Sequence, residues 1–450
     1  MENRKEKINQ TISKLENNMD FLCVTGVEDL LQDDVAATID NLRNAGMKIW
    51  MLTGDKVETA TCISISAGIK SKSQKIYTIK NEDIKDENNL EKCIINLKSK
   101  FQDYQKKIEM SPHIFIIDGE TLDLALKKCE EDFFKTAMQA PSVVCCRCSP
   151  TQKRIIVKTI KKYIGTGRTA AVGDGGNDVA MIQEADIGIG IVGKEGLQAS
   201  LAADYSIKEF KSLNTLLLWW GRIAYKNTAT MSNFIIHRGL IISINQFIFS
   251  LVFYYNPVPL YNGFLCFGYS TIFTCTPSIS VLLDRDVSKD NVLKFPSLYK
   301  ILLMGRELNF KNFLFWLFKS IFQSGVIMFG SFLFFQDNIF LKIVTVSFTA
   351  LIYLEILNVY MEINKFHWFM IFALIATFII YTLTLRFLNY YLDIYFVFKW
   401  SIFWRILVIA LIAWAPFFIA TKVKKLLFPQ TIEKLNKAKI NKLTEMVDKN

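Results

Sequence analysis

Six apolar runs of about 20 residues in the second half of the chain constrain its fold more than any other feature. A helix of this length crosses the hydrocarbon core of a bilayer with all its backbone amides paired. The runs lie at 231–254, 260–283, 312–335, 341–361, 366–388 and 401–421. The first 210 residues are charged and mixed, so the average of 51% hydrophobic residues describes neither part of the chain. The sequence therefore predicts a polar N-terminal part followed by an all-α domain of six transmembrane helices.

The distribution of Lys and Arg orients these helices, because loops rich in these residues stay on the cytosolic side. The loop between the second and third runs and the segment after the sixth are basic, whereas loops 255–259 and 336–340 contain neither residue. The basic residues are Arg285, Lys289, Lys294, Lys300, Arg306, Lys311, Lys422, Lys424 and Lys425. We therefore predict a multi-pass integral membrane protein with both termini in the cytosol and a basic tail, 422–450, able to contact anionic lipid.

Composition argues against two other classes of protein. The net charge of +11 is accounted for by the basic membrane flanks. Interleaved acidic residues and the lack of a stacking platform make a nucleic-acid partner a poor alternative. The nine cysteines indicate neither disulfides nor zinc, since Cys145-Cys146-x-Cys148 has no paired half elsewhere and lies in a predicted buried strand. We predict that these three thiols serve packing.

A glycine-rich acidic segment, Gly173-Asp174-Gly175-Gly176-Asn177-Asp178, follows the apolar run Thr169–Val172. Carboxylates at the end of a strand, with glycines that let a ligand approach the backbone, suit a hard divalent cation held against a phosphate. Taken alone, such a segment is more typical of a tight turn between two apolar runs.

Two further predicted strands end in side chains that suit phosphate binding. Lys48–Leu52 runs into Thr53-Gly54-Asp55 and a helical pattern, and Ser142–Cys146 precedes Arg147 and Lys153. A plain helix N-cap and solvated surface charges are the alternatives for these residues. Because loops at the carboxyl ends of parallel strands share one crevice, the three strand ends together predict a single site.

These motifs resemble the phosphorylation domain of P-type ATPases, members of the haloacid-dehalogenase superfamily. The resemblance is carried by Thr53-Gly-Asp-Lys56, Arg147-Cys-Ser-Pro-Thr-Gln-Lys153 and Gly173-Asp-Gly-Gly-Asn-Asp-Val-Ala-Met-Ile182. Met51–Ala60 and Gln198–Ser206 look like the P4 class, the phospholipid flippases. Gly176, His237–Ser243 and Pro259–Gly263 are similar to its Neo1-like branch. The resemblance runs from Leu15 to Pro429.

The resemblance implies ATP and Mg²⁺ as cofactors and a role for each motif residue. Asp174 would ligate Mg²⁺, with Asp178 close to the same ion. Lys153 would neutralise charge on the transferred phosphoryl group. The remaining residues would position the phosphoryl group or contact nucleotide: Thr53, Gly54 and Asp55 in the first motif, with Arg147 and Asn177 in the other two.

The first two apolar runs contain candidates for a lipid path. Arg238 lies near the position of a functional Lys in other P4 enzymes, and an intramembrane charge is a site hypothesis by default. An Arg that snorkels to the cytosolic interface is the alternative. Asn245 and Gln246 would contact a lipid headgroup or bond a neighbouring helix. Pro277 interrupts the second run and predicts a polar spot there.

The predicted fold is an α/β haloacid-dehalogenase-like (Rossmann-like) phosphorylation domain, incomplete at its N-terminus, followed by the six transmembrane helices. The predicted domains are 1–20, the end of a nucleotide-binding domain or linker; 21–212, the C-terminal part of the phosphorylation domain; 213–230, an amphipathic connector; 231–421, the membrane helices; and 422–450, the tail.

Residues 80–108, which are polar, predict a surface insertion or partly disordered loop. Asp118-Gly-Glu-Thr121 spells an actuator-domain tetrapeptide of P4 enzymes, but Ile114–Ile117 and Leu122 fit a peripheral strand and turn instead.

The sequence contains no Asp-Lys-Thr-Gly-Thr motif, which carries the aspartate that P-type ATPases phosphorylate. The chain thus resembles the C-terminal half of a flippase that moves phospholipid to the cytosolic leaflet, and we expect it to need the N-terminal half as a partner. A non-catalytic truncated paralogue, acting as a structural or regulatory membrane partner, is the alternative. A soluble phosphatase would not need six spans. The branch implies Golgi, endosomal or plasma membranes and no obligatory accessory subunit.

Overall fold

The computed structural model divides the chain into two compact units, Met1–Asp33 and Asp34–Asn450. In the first unit, α1 (Arg4–Leu15) is a polar helix whose described side chains are exposed. The second unit contains an α/β part that extends to residue 207 and a membrane part that begins at residue 214. The residues described are 4–16, 19–20, 22–23, 30–71, 73–84, 90–165, 167–193, 197–255, 257–303, 305, 307–334, 340–387 and 391–427.

Two parallel sheets form the frame of the α/β part, with strand orders β1-β4-β3-β2 and β5-β6-β7. Every residue of β3 and β4 is buried, as expected for apolar strands of a parallel sheet covered on both faces. The strands are β1 (Ile49–Leu52), β2 (Lys75–Ile79), β3 (His113–Ile117), β4 (Ser142–Cys145), β5 (Ala170–Gly173), β6 (Ile187–Ile191) and β7 (Tyr205–Ile207).

Helices alternate with these strands and cover the sheets. They are α2 (Val35–Asn44), α3 (Val57–Ser66), α4 (Leu90–Met110), α5 (Gly119–Lys128), α6 (Glu130–Ala137), α7 (Pro150–Ile164), α8 (Val179–Glu184) and α9 (Gln198–Ala202), with short 3-10 turns at Asn81–Asp83 and Gly176–Asp178. The predicted helix after the Thr53 motif begins at Val57, and the one after Arg147 begins at Pro150. The predicted α/β fold is confirmed at this level.

The two sheets are neighbours through side-chain packing, without a backbone ladder between β1 and β5. Ile49 and Val172 share one apolar cluster, and Leu52 packs with Ala171 and Val157 in another. In the described structure β1 pairs with β4, and β5 pairs with β6. Among the described residues, no strand pairs with the other edge of β1 or of β5.

Of the two alternatives predicted for residues 80–108, a surface insertion or a partly disordered loop, the loop is wrong over most of the segment. Residues 90–110 form α4, which buries Leu97, Phe101 and Tyr104. These residues recur with helical spacing, and their burial outweighs the polar character of the segment. Residues 85–89 lie outside the described part of the chain.

The strand predicted at Ile114–Ile117 is confirmed as β3, but its predicted peripheral position and the turn after it are wrong. β3 lies between β2 and β4, and the chain continues directly into α5 at Gly119. A Cβ on Gly119 would lie 2.5 Å from the Arg147 carbonyl oxygen and 3.0 Å from that of Cys146. Only glycine lets α5 approach the loop after β4 this closely.

The described residues of the membrane part contain six helices that are long and apolar enough to cross a bilayer, as predicted. They extend over Asn214–Val252, Gly263–Leu283, Phe310–Leu333, Phe340–Glu362, Trp368–Phe387 and Trp400–Leu427. The individual helices are α10 (Arg222–Val252), α11 (Gly263–Phe267), α12 (Cys275–Ser280), α13 (Lys289–Lys294), α14 (Lys300–Leu303), α15 (Phe310–Phe334), α16 (Phe340–Glu362), α17 (Trp368–Phe387), α18 (Ile394–Val397) and α19 (Trp400–Leu427). Some of the predicted positions lie outside the described residues: the segment ends 335 and 388, loop residues 256, 306 and 336–339, and tail residues 428–450.

The predicted connector 213–230 and the first predicted span are one continuous helix. A wide π turn, Asn214–Gly221, leads into α10 without a break. Arg222 and Lys226 both donate to Asp286 at 2.8 Å. The two positive charges in this part of the helix are therefore paired with a carboxylate. α19 likewise extends to Leu427, beyond the predicted end at 421.

The second span is interrupted, as Pro277 predicts. It consists of α11, a π turn at Gly268–Phe273 and α12, with Thr274 in a non-helical conformation between the last two. Pro277 has no amide hydrogen to donate to the preceding turn. The carbonyl groups released by the break become available to side chains of other helices.

Candidate functional sites

α7 places Lys153 at the candidate phosphate site. Ser149 and Gln152 form a capping box at its N-terminus, with Pro150 in the first turn. Lys153 is only 9% exposed, and its Nζ donates to Asp178 Oδ1 at 2.8 Å. This ion pair joins the segment after β4 to the segment after β5.

The loop after β1 is hydrogen-bonded to the loop after β4. The Thr53 carbonyl accepts from the Cys148 amide at 2.9 Å, and the Asp55 carbonyl accepts from the Arg147 amide at 2.9 Å. The Thr53 hydroxyl donates to Asp55 Oδ2 at 2.6 Å. A Cβ on Gly54 would meet nothing within 4 Å, so this loop is open to a ligand. The predicted residues 53–55 and 147 therefore form one connected edge.

Asp174 and Asn177 are exposed on the loop after β5, which also holds Asp178. In the described residues no group of three or more His, Cys, Asp and Glu side chains is arranged to hold a metal ion. Mg²⁺ commonly uses one or two protein carboxylates and completes its shell with water and phosphate oxygens. Asp174 and Asp178 fit such an open site, which would need a phosphate-bearing partner to be complete.

A second candidate site lies at the break in the second span. Arg238 Nη1 donates to Ser278 Oγ at 3.1 Å and Nη2 donates to the Ser270 carbonyl at 2.9 Å. Its guanidinium also lies 5.6 Å from the centre of the Tyr269 ring. The half-buried Arg238 side chain thus bonds to the broken helix of the second span.

The two neighbouring candidates on α10 bind other parts of the protein. Gln246 accepts from the Leu260 amide at 2.7 Å and donates to the Val258 carbonyl at 3.2 Å, so it holds the loop between the first two spans. Asn245 donates weakly to the Tyr261 hydroxyl at 3.4 Å. Its buried Oδ1 has no hydrogen-bond partner. Of the two, only Asn245 keeps a free polar atom in the interior.

Two charged residues inside the third and fourth spans belong to the same interior and were missed by the sequence analysis. Glu355 accepts from the Tyr269 hydroxyl at 2.8 Å through Oε1, while its buried Oε2 has no partner. Lys319 is fully buried, 4.3 Å from the Trp316 ring and 3.6 Å from Glu362. The rule that flagged Arg238, a charge within an apolar run, applies equally to both.

A fully connected polar network lies beside these charges. Asn358 donates to His237 Nε2 at 3.2 Å, so His237 Nδ1 donates to Ser320 Oγ at 2.6 Å. Asn358 and Gln323 exchange two amide hydrogen bonds, and Gln323 also donates to the Ala413 carbonyl at 3.3 Å. Because its members are satisfied, the network holds α10, α15, α16 and α19 together.

Fold and sites together define a class of protein: an α/β domain with candidate phosphate-binding loops, followed by six membrane-length helices that enclose charged side chains. A family profile described as phospholipid-translocating P-type ATPase, C-terminal, matches residues 200–430, about half of the chain. The chain belongs to this family.

Curated relatives agree with this assignment. The chain is 45% identical over 433 residues to "Probable phospholipid-transporting ATPase IIB" of Danio rerio, covering 96% of this chain and 37% of the relative. It is 42% identical over 422 residues to "Probable phospholipid-transporting ATPase tat-5" of Caenorhabditis elegans, covering 94% and 38%. It is 42% identical over 444 residues to "Phospholipid-transporting ATPase NEO1" of Saccharomyces cerevisiae, covering 97% and 37%. The chain therefore spans less than two fifths of the length of these relatives.

Proposed function

We propose that this chain supplies the phosphate-binding part and six membrane helices of an ATP-driven phospholipid translocase. The observation that carries the proposal is the Lys153–Asp178 ion pair of 2.8 Å. It joins the motif after β5 to the loops after β1 and β4, whose backbones are bonded to each other. Phosphoryl transfer needs mainly positioning and charge neutralisation, and these groups suit both tasks.

In this proposal the α/β part is a haloacid-dehalogenase-like phosphorylation domain. Asp174 and Asp178 would hold Mg²⁺, which neutralises phosphate charge when bound. Lys153 faces the same phosphoryl group, while Thr53 and the open Gly54 loop orient it. Arg147 and Asn177, both exposed, are available to ATP. The charge of Lys153 is held in place by Asp178 before any ligand arrives.

The phosphorylated aspartate would come from polypeptide outside this sequence, the N-terminal half of a complete transporter. In the part of the chain that the structure describes, β1 and β5 each have one edge without a strand partner, and two of the candidate motifs follow these strands. A strand added between them would carry its own C-terminal end to the same crevice. We propose that the nucleophile follows such a strand.

The proposed lipid path runs along the broken second span. Arg238, the Ser270 carbonyl and Glu355 provide charge and exposed dipoles at membrane depth, where they are costly unless they serve a ligand. The proposed transport is toward the cytosolic leaflet of a Golgi, endosomal or plasma membrane, with both termini cytosolic and no obligatory accessory subunit.

The test is a chimera in which this chain replaces the matching segment of the Saccharomyces cerevisiae relative. We expect the chimera to form an acid-stable phosphoenzyme from labelled ATP. Asp174→Asn should lower the phosphoenzyme level about 100-fold, because it removes a charge from the phosphate site. Asp123→Asn, which changes an exposed carboxylate on α5, is the matched control and should have no effect. Unchanged ATPase activity in Asp174→Asn would remove the metal assignment.

The same chimera tests the lipid path separately. Arg238→Met should leave phosphoenzyme formation intact but lower its lipid-stimulated hydrolysis at least about tenfold, as expected when a charged hydrogen bond is lost. Arg386→Met, at an exposed arginine near the end of α17, is the control. Lipid stimulation equal in both variants would show that Arg238 only anchors the helix.

A further inference from the structure

The Cys145-Cys146-Arg147-Cys148 segment places two thiols on one side of the first sheet. Strand alternation puts Cys145 and Cys146 on opposite faces, in different apolar clusters. Arg147 has φ 48°, a left-handed conformation that reverses the chain. Cys148 consequently returns to the cluster that contains Cys145. The segment is thus a Cys-x-x-Cys turn whose first and last thiols lie in the same apolar cluster.

The two thiols of this cluster are unequal. The Cys148 S–H donates to the Cys146 carbonyl at 3.7 Å. The neighbouring Cys145 thiol and the charge of Lys153 lower the pKa of Cys148 against the effect of its burial, whereas the Cys148 thiol and complete burial raise the pKa of Cys145 well above its usual value. Cys148 is 6% exposed and Cys145 is fully buried. Cys148 therefore has the features of an attacking thiol, and Cys145 those of a resolving thiol.

We propose that Cys145 and Cys148 form a reversible disulfide when the protein meets a peroxide. The Cys148 thiolate attacks one peroxide oxygen, so its sulfur is oxidised to sulfenic acid while hydroxide leaves and takes up a proton to form water. The Cys145 sulfur then attacks the sulfenic sulfur, the S–S bond forms, and the Cys145 proton leaves with the hydroxyl group as a second water. The peroxide is reduced to two water molecules.

The disulfide would act directly on the candidate phosphate site. The Cys148 amide donates to the Thr53 carbonyl, and the next residue, Ser149, caps the helix that carries Lys153. Drawing the Cys148 sulfur to bonding distance of about 2.05 Å from Cys145 must move this turn. The position of Lys153 and of the Thr53 loop would change together. The chemistry of the thiols is independent of the proposed function, whereas this consequence rests on it.

Tryptic mapping of the full chain tests the proposal. Trypsin cleaves after Arg147 and so separates Cys145 and Cys146, in the peptide Thr136–Arg147, from Cys148, in the peptide Cys148–Lys153. After treatment with hydrogen peroxide and alkylation we expect these two peptides to be disulfide-linked, with the loss of two alkylatable thiols per chain. Dithiothreitol should restore both thiols.

Variants distinguish the possible partners. Cys146→Ser should retain the linked peptides, because Cys146 faces the opposite side of the sheet, whereas Cys145→Ser should abolish the link. If a variant fails to fold, the tryptic mapping of the wild-type chain still tests the proposal. Oxidation of the exposed Cys62 without linked peptides would overturn the proposal. A Cys145–Cys146 bond, contained within one peptide, would overturn it as well.

Discussion

At the scale of single residues, two glycines of one motif, Gly173 and Gly176, differ in how much space a side chain would have. A Cβ on Gly173 would overlap the Cβ of Asp178 and lie 2.8 Å from its Oδ2. A Cβ on Gly176 would meet only the end of the exposed Gln198 side chain. Gly173 therefore allows Asp178 to fold back over the end of β5 and reach Lys153, while Gly176 sits beside a group that can move.

We predict opposite outcomes for Ala at these two positions. Gly173→Ala should destabilise the chain by about 1–3 kcal/mol, the usual cost of overpacking. Gly176→Ala should stay within about 0.5 kcal/mol of the wild type, since Gln198 can rotate away. The unfolding midpoint of the purified chain in detergent measures both. Equal midpoints for the two variants would contradict the packing argument.

At the scale of elements, a buried ion cluster fastens α10 to the segment between the second and third spans. Asp286 accepts from Arg222 and from Lys226, both at 2.8 Å, and Arg222 also donates to the Leu298 carbonyl at 3.1 Å. The Arg222 side chain is 1% exposed. Beside it, Trp219 and Val287 pack with Leu42 of α2, so this junction links the membrane helices to the α/β part.

Asp286→Asn should therefore destabilise the chain by about 3–5 kcal/mol, because it leaves the buried Arg222 without its counter-charge. The matched control is Glu209→Gln, which removes an exposed partner of Lys211 and should leave the unfolding midpoint unchanged. An Asp286→Asn chain as stable as the wild type would show that Arg222 is satisfied by the Leu298 carbonyl alone.

The difference in stability between the wild type and Asp286→Asn should depend on pH in one direction. Burial acts to raise the pKa of Asp286, but Lys226 and Arg222 hold the pKa below its usual value. A carboxyl group with a lowered pKa stabilises the fold above its unfolded pKa, about 3.9, and loses that contribution as pH falls through the folded pKa. The gap between the wild-type and Asp286→Asn midpoints should be constant from neutral pH to about 5 and narrow only below about 4.

At the scale of the whole molecule, the order of the six spans fixes which loops share a side of the membrane. The loop after the first span, held by Gln246, and the basic segment after the second must lie on opposite sides. The placement of Lys and Arg predicts that the basic segment is cytosolic. Trp219 and Val287 join the α/β part to this segment, so the same orientation is predicted for it.

Glycosylation in microsomes measures this topology. An Asn-Gly-Thr acceptor in a flexible insert after Tyr255 should be glycosylated, because the proposed orientation places that loop in the lumen, whereas the same insert after Leu308 should remain unmodified. The opposite pattern would contradict the proposed orientation, and modification at both positions would contradict the number of spans between them.

The number of membrane helices and the α/β class could be read from the sequence, because apolar run length and the strand-then-helix order are local properties. The break at Pro277 was predictable for the same reason. The burial of α4 was not, since Leu97, Phe101 and Tyr104 are only three of its apolar residues, and the packing of the helix against the sheet decides which of them are buried. Glu355 and Lys319 are charges in apolar runs, and a stricter use of the rule applied to Arg238 would have found them.

The sequence by itself determined the chemistry available to this protein: carboxylates, a lysine and glycines at strand ends, and charges spaced along membrane helices. Only the tertiary structure decided which of these groups meet. It paired Lys153 with Asp178, turned Gln246 toward a loop, and returned Cys148 to Cys145 while Cys146 faced away. The physical reason is that composition and periodicity act along the chain, whereas hydrogen bonds and ion pairs form between residues that the fold brings within about 3 Å.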